Sequence, residues 1–125
     1  MHEMALCTEV TDTVLAEANA VNAVSVDHVE MVIGEVRDII EDMFDSFFHY
    51  LTRGTIAENC AVSFVRTPVT VCCHNCNTQY PVDVRGNGST TCPHCGERDY
   101  EVATGMEFYI ASIDVTTPEE ASTAA

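Results

Sequence analysis

Four cysteines in two Cys-x-x-Cys pairs are the residues of this chain whose types and spacing most clearly carry chemistry. Cys73 and Cys76 form the first pair, and Cys92 and Cys95 form the second after 15 intervening residues. Each pair closes a tight turn that presents two thiolates to one ion, and a hairpin between the pairs can bring them together around a tetrahedral centre. Four thiolates complete the coordination shell, so the pattern predicts structural zinc, with rubredoxin-like iron or a redox-active Cys-x-x-Cys as alternatives.

Several residues beside these pairs bear on how the site forms. Asn77 follows the first pair and Gly96 the second, and both residue types tolerate the left-handed backbone that eases such a turn. Cys72 could replace Cys73, but it would leave three residues rather than two before Cys76. His74 and His94 lie within the two turns, where we expect exposed loop residues; supporting groups or alternative ligands are the other interpretation.

The amino terminus, Met1-His2-Glu3, could form a second kind of metal site. The free amine, the backbone nitrogen of His2 and its imidazole can form fused chelate rings, and Glu3 could add its amide nitrogen or carboxylate. Nitrogen-rich square-planar sites suit Ni(II) or Cu(II). A histidine this close to a chain start is usually incidental, so the three residues alone predict little.

The charge of the chain excludes several classes of protein. It has 20 acidic residues, five arginines and no lysine, for a net charge of −15. This charge repels nucleic-acid phosphates and anionic membranes, and it suits cations, basic partner surfaces or solubility in a high-salt cytoplasm. The sequence has no Gly-rich phosphate loop, nucleophile elbow or open three-ligand zinc motif, so we do not expect an enzyme.

The hydrophobic pattern favours a cytoplasmic protein. No segment resembles a signal peptide, and none approaches the ~20 apolar residues that a membrane span needs. In a reducing compartment cysteines bind metal or are buried rather than forming disulfides. We therefore expect Cys7 and Cys60, which lie outside the pairs, to be buried and inert.

The elements that must position these residues follow from hydrophobic periodicity. We predict helices over residues 4–21 and from Asp38 to about Arg53, the second with a capping box between Asp38 and Glu41. We predict strands over 24–33, 61–71 and 106–115, the second interrupted or placed at an edge by Pro68. The predicted fold is α+β, a small mixed three-stranded sheet with two helices and an inserted zinc-ribbon module. The expected domains are an α+β domain of 1–71 and 104–116 that carries the amino-terminal candidate site, a zinc-binding domain of 72–103, and a disordered tail of 117–125.

Taken together, these features resemble the HypA/HybF family of hydrogenase and urease nickel incorporation proteins. The resemblance rests on the zinc pairs and on four segments: Met1-His2-Glu3-Met4, Val32-Ile33-Gly34-Glu35, residues 51–58 (LTRGTIAE) and residues 105–110 (GMEFYI). It implies His2 as the essential nickel ligand and Cys73, Cys76, Cys92 and Cys95 as zinc ligands. It also implies a HypB-type GTPase and the [NiFe]-hydrogenase large subunit as partners.

The resemblance has two departures, and one rival function stays open. Some family members add a carboxylate near the second helix, but Ile40 stands at the position that we align with it, beside Asp38, Glu41 and Asp42. Asn77 stands where many relatives have glycine. We expect a nickel metallochaperone, a monomer or weak homodimer, which binds Ni(II) at its N-terminus and delivers it for hydrogenase maturation. The alternative is a zinc-ribbon structural or adaptor protein without nickel function.

Overall fold

The protein is described by a computed structural model that covers residues 3–83 and 90–123. Two three-stranded sheets organise it, with strand orders β2-β1-β6 and β4-β3-β5. The predicted α+β fold with a three-stranded sheet, two helices and a four-cysteine module is confirmed. The elements are α1 (Glu3–Ala20), β1 (Ser25–Gly34), α2 (Glu41–Leu51), β2 (Ala61–Thr67), β3 (Thr70–Cys73), β4 (Gln79–Pro81), β5 (Tyr100–Thr104), β6 (Phe108–Thr116) and α3 (Pro118–Thr123).

The chain divides into two compact units. The first comprises residues 1–31, 39–64 and 110–125, and the second comprises residues 32–38 and 65–109. The first therefore contains both long helices and most of the larger sheet. The second contains the smaller sheet and all four paired cysteines. No described helix combines the length and apolar character that crossing a bilayer requires.

Helix α1 buries the stripe that its sequence predicts. Cys7, Val10, Val14 and Ala18 recur at helical spacing, and all four are buried. Val21 was expected to continue the stripe, but it is 52% exposed. The helix ends one residue earlier, at Ala20, and Asn22 adopts a positive φ of 57° that turns the chain away.

Helix α2 begins later than predicted. The expected cap at Asp38 is wrong: the N-cap is Ile40 in an extended conformation, without a side-chain cap hydrogen bond. Ile39 is buried, so keeping the chain extended to this point places an apolar side chain in the core at the expense of the local cap. Within the helix, Phe44 and Phe48 are fully buried, and the Phe44 ring packs edge-on against Phe64 at 5.7 Å.

Pro68 separates two strands that belong to different sheets. Of the two effects predicted for Pro68, interruption of the strand over 61–71 is the one observed: β2 ends before Pro68 and β3 begins after it, because proline has no N–H to donate to a continuous ladder. In the second unit β3 pairs antiparallel with both β4 and β5. Among its described residues, one cluster of buried side chains comprises Val71, Cys73, Tyr80 and Cys92.

Two glycines allow a close backbone approach within the second unit. Val36 N–H donates to the Gly105 carbonyl at 2.9 Å, and Gly34 N–H donates to the Glu107 carbonyl at 2.7 Å. A Cβ at Gly34 would lie 1.9 Å from the Gly105 oxygen. Position 34 therefore accepts no larger residue unless the backbone moves.

The segment after β6 is more ordered than its composition suggests. Disorder was predicted for 117–125, but Pro118–Thr123 form α3. The Thr117 N–H donates to Glu120 Oε1 at 3.0 Å, and the Glu120 N–H lies 3.5 Å from Thr117 Oγ1. This reciprocal capping box, with proline at the first helical position, favours a helix that a Pro-, Glu- and Ser-rich composition conceals.

Candidate metal centre

The first cysteine pair is held by the turn that follows β3. The Cys73 N–H donates to the Thr78 carbonyl at 2.9 Å, and the Asn77 N–H donates to the Cys73 carbonyl at 2.9 Å. Asn77 has a φ of 60°, the left-handed conformation predicted for it. These bonds fold the backbone around Cys73 and Cys76, so that the two sulfurs project to one side.

The second pair repeats this geometry. The Cys92 N–H donates to the Glu97 carbonyl at 2.8 Å, and the Gly96 N–H donates to the Cys92 carbonyl at 2.9 Å. Gly96 has a φ of 80°, again as predicted. The two turns are therefore equivalent, and the left-handed residue that each turn needs is Asn77 in the first and Gly96 in the second.

The four sulfurs converge on a common centre. All of them lie within 4.8 Å of one another, with Cys73 Sγ 3.5 Å from Cys95 Sγ and Cys76 Sγ 3.6 Å from Cys92 Sγ. Zinc–sulfur bonds of about 2.3 Å arranged as a tetrahedron separate the sulfurs by about 3.8 Å. The donor type and spacing thus fit a structural zinc ion, whose contribution is to hold the two turns together.

Local hydrogen bonds stabilise some of these sulfurs as thiolates. The hydroxyl and backbone of Thr78 lower the pKa of Cys76 to about 6, and the Asn75 side chain lowers the pKa of Cys95. At Cys73 the Cys76 amide acts in the same direction, but burial and the neighbouring thiols raise the pKa to about 11. The thiols of Cys76 and Cys95 therefore lose their protons most easily. A bound divalent cation would offset the negative charge that accumulates as the remaining thiols lose theirs.

Cys72 is not one of the four converging residues. Its neighbour Cys73 is buried and supplies a sulfur to the cluster, whereas Cys72 is half-buried. Successive strand residues point to opposite faces, so β3 directs these two side chains apart. Cys72 aligns across the sheet with Gln79 of β4 and Glu101 of β5.

The histidines within the turns are exposed, as expected. His74 Nδ1 lies 2.9 Å from Asp99 Oδ1, and His74 Nε2 lies 3.8 Å from Glu101 Oε2. The hydrogen bond to Asp99 raises the pKa of His74. Spacing along the chain could not predict this pairing, because Asp99 is 25 residues away. His94 is exposed in the second turn.

The structure describes only one of the three candidate nickel ligands at the amino terminus. Met1 and His2 lie outside the described residues, whereas Glu3 begins α1 with 4% of its surface exposed. Its Oε2 atom is buried and has no hydrogen-bond partner among residues 3–83 and 90–123. Ile40, at the N-cap of α2, is 53% exposed, with Glu41 and Asp42 in the first turn that follows.

Comparisons with known proteins agree with this arrangement. The profile of the family described as "Hydrogenase/urease nickel incorporation, metallochaperone, hypA" matches residues 1–115. The chain belongs to this family. A HypA hydrogenase maturation factor from Dehalococcoides mccartyi is 33% identical, with 98% of this chain and all of that protein aligned. Another from Thermococcus kodakarensis is 32% identical, covering 92% and 96% of the two chains.

Solved HypA structures share the fold. The solution structure titled as the Ni metallochaperone HypA from Helicobacter pylori aligns with a TM-score of 0.66, covering 94% of this chain and 99% of its own. A second HypA solution structure aligns with a TM-score of 0.73, covering 92% and 96%. Both are 18% identical to this chain, a level at which the likeness concerns the fold alone.

Within this HypA-family chain the two unpaired, buried cysteines act as core residues. Burial raises the pKa of Cys7 and of Cys60 to about 11. Cys7 Sγ lies 3.6 Å from the Phe44 carbonyl. A buried thiol that stays protonated is a poor nucleophile and a poor ligand, so their predicted inert character agrees with their surroundings.

One polar cluster on the larger sheet was not predicted from the sequence. His28 Nε2 lies 2.8 Å from Ser63 Oγ, and His28 Nδ1 lies 3.4 Å from Asp114 Oδ2. These residues come from β1, β2 and β6, so the cluster links all three strands. The Asp114 side chain is 67% exposed, and the contacts serve as cross-strand pairs on a hydrated surface. Only the strand order brings them together, and spacing along the chain could not indicate it.

Proposed function

We propose that the protein is a cytoplasmic nickel metallochaperone that takes up one Ni(II) ion at its amino terminus and delivers it for [NiFe]-hydrogenase maturation. The proposed ligands are the Met1 amine, the backbone nitrogen and imidazole of His2, and Glu3 as a further ligand. Such a nitrogen-rich set suits Ni(II). The ion is cargo, so the chemistry is ligand exchange rather than catalysis.

The observation that carries this proposal is the state of the Glu3 carboxylate. A buried carboxylate oxygen without a partner is costly, and a cation beside it would offset that cost. The Glu3 Oε2 atom lacks a hydrogen-bond partner among the described residues, and Glu3 directly follows Met1 and His2. Membership of a nickel-incorporation family supports nickel as that cation.

The contrast with the cysteine site supports a transferable rather than a resident ion. Four thiolates close a coordination shell and retain zinc. A set of amine, imidazole and carboxylate donors at a chain terminus leaves positions for an incoming ligand. The partners in this proposal are a HypB-type GTPase and the [NiFe]-hydrogenase large subunit, and a basic surface on either partner would complement the net charge of −15.

Nickel titration of three variants tests the proposal. The wild-type protein with its native start should bind one Ni(II), as measured by calorimetry. His2→Ala should weaken that binding by about 100-fold or more, because the chelate loses its imidazole. Glu3→Gln, which keeps the size of the side chain and removes its charge, should weaken it by about tenfold. Asp42→Asn at the exposed start of α2 is the matched charge control, and we expect it to bind like the wild type.

The pH dependence and the zinc content complete the test. Nickel must displace protons from an amine and an imidazole, with ordinary pKa values of ~7.7–8.0 and ~6.5, so affinity should fall as the pH drops through this range. Zinc content should stay unchanged in every variant. If His2→Ala and the wild type bind Ni(II) equally, the nickel site is refuted and a zinc-ribbon adaptor remains.

A further inference from the structure

Among the described strands, none pairs with the outer edge of β6, and this edge borders a groove. Strand β6 is the last strand of the order β2-β1-β6, with β1 on one side only. Between this strand and α1 lies a cavity of about 470 Å³. That volume is within the ~300–1,000 Å³ of ligand-binding clefts. All its lining residues belong to the first unit.

The groove follows the edge of the strand rather than one of its faces. Strand side chains alternate between faces, so a groove over one face is lined by every second residue. Here the consecutive residues 110–113 all line the groove, together with Val115. The outward N–H and C=O groups of the edge therefore border the cavity.

The groove combines apolar walls with one acidic side chain, Glu17. Val21 on the α1 side is 52% exposed, and Ile110 and Ile113 on the β6 side are half-buried. Glu17 supplies negative charge on the helix side. These features suit a segment with aliphatic side chains on one face and positive charges on the other.

The usual protection of an edge strand is nearly absent. Natural edges carry lysine, proline or other charges that prevent strand addition. Residues 110–115 of β6 contain no proline or basic residue, and Asp114 is their one charge. Pairing between two copies is instead opposed by charge, because each carries −15.

We propose that this edge binds an extended, basic segment of a partner protein as an additional strand. The six residues of 110–115 span about 20 Å, and main-chain hydrogen bonds along them would give the affinity. Alternate aliphatic side chains of the segment fill the groove, while its arginines or lysines are attracted by Glu17 and by the net negative charge of the chain. None of the residues that line the groove is a proposed metal ligand, and the proposal does not rest on nickel binding.

Three synthetic peptides test the mode of binding on the full-length zinc-loaded protein. The probe is acetyl-Arg-Val-Arg-Val-Arg-Val-Arg-amide. It is titrated into the protein at low salt, and binding is monitored through the amide NMR signals of the protein. It should shift the amides of residues 110–115 and of the α1 residues that line the groove. The same peptide with N-methylated valines keeps charge and side chains but loses strand hydrogen bonds, and we expect no saturable binding. A peptide with glutamate in place of arginine should not bind.

Two variants with the same charge change locate the surface. Ala111→Lys places a lysine on the edge and should weaken probe binding by about tenfold or more. Ala103→Lys adds the same charge at an exposed position of β5 and should change the affinity by less than about twofold. If Ala111→Lys loses zinc or helicity, Glu17→Gln supplies the test, with an expected weakening of about two- to fivefold.

Specific outcomes overturn the proposal. Equal binding of the N-methylated peptide would show electrostatic adhesion without strand addition. Equal weakening by both lysine variants, or amide shifts confined to other regions, would place the probe elsewhere. A low-salt dimer in sedimentation that Ala111→Lys abolishes would assign the edge to a second copy of this chain.

Discussion

Each of the two compact units of this chain is stabilised internally by a different kind of interaction. In the first, two helices bury apolar stripes, and the fully buried Phe44 and Phe48 centre the core. In the second, the buried cluster has four members, of which Cys73 and Cys92 belong to the metal centre. We therefore expect packing alone to suffice for the first unit and the second unit to depend on a bound ion. Removal of metal and truncation of the core should therefore damage different units of the molecule.

The largest expected effect is loss of the zinc centre. Cys92→Ser should abolish zinc binding and unfold the second unit, because structural zinc contributes on the order of 10–16 kcal/mol in small metal-bound domains. The first unit should keep its helices. Zinc analysis and amide NMR dispersion of residues 65–83 and 90–109 measure this. Cys72→Ser is the control and should retain zinc; loss of zinc from Cys72→Ser would mean that the ligand set is wrong.

Truncation of the helical core is the converse change. Phe48→Ala should reduce the free energy of unfolding of the first unit by about 3–5 kcal/mol, because the side chain is fully buried. Zinc content should not change. Urea denaturation followed by helical circular dichroism gives the first quantity, and metal analysis gives the second. Loss of zinc together with helicity would show that the two units fold as one.

A backbone contact within the second unit should give an intermediate effect. Gly34→Ala places a methyl group 1.9 Å from the Gly105 oxygen, and we expect a loss of about 3 kcal/mol. Gly54→Ala is the matched control: its Cβ meets nothing within 4 Å, but its φ of 75° should cost about 1 kcal/mol. Equal destabilisation in urea would mean that the backbone around Gly34 moves to accept the methyl group, so that the close contact costs much less than about 3 kcal/mol.

The smallest effect concerns the exposed His74 beside Asp99. Asp99→Asn should move the pKa of His74 down toward its ordinary value, because the Asp99 hydrogen bond raises it. The stabilisation from a raised pKa is fully present below the ordinary value and is lost as the pH rises through the raised one. Imidazole NMR shifts follow this titration. An unchanged His74 titration in Asp99→Asn would assign the shift to Glu101 instead.

How far the sequence predicts this molecule depends on the range of the deciding interaction. The α1 stripe and the cysteine turns follow from spacings of a few residues, so periodicity and motif predict them. The start of α2 does not, because burial of Ile39 overrides a local cap signal at Asp38. The His74–Asp99 pair also depends on long-range strand register. The helix after Thr117 was missed for the opposite reason: overall composition outweighed a local capping box.

Nickel binding through an unmodified amino terminus is the central claim, and blocking the Met1 amine tests it most directly. Ni(II) isotherms should be compared for the protein with its native start and for the same protein acetylated at Met1, with equal zinc content in both. The acetylated protein should bind Ni(II) at least about 100-fold more weakly, because the amine is the first donor of the proposed chelate. Superimposable isotherms would contradict the account and leave a zinc-stabilised member of the family whose nickel ligands lie elsewhere.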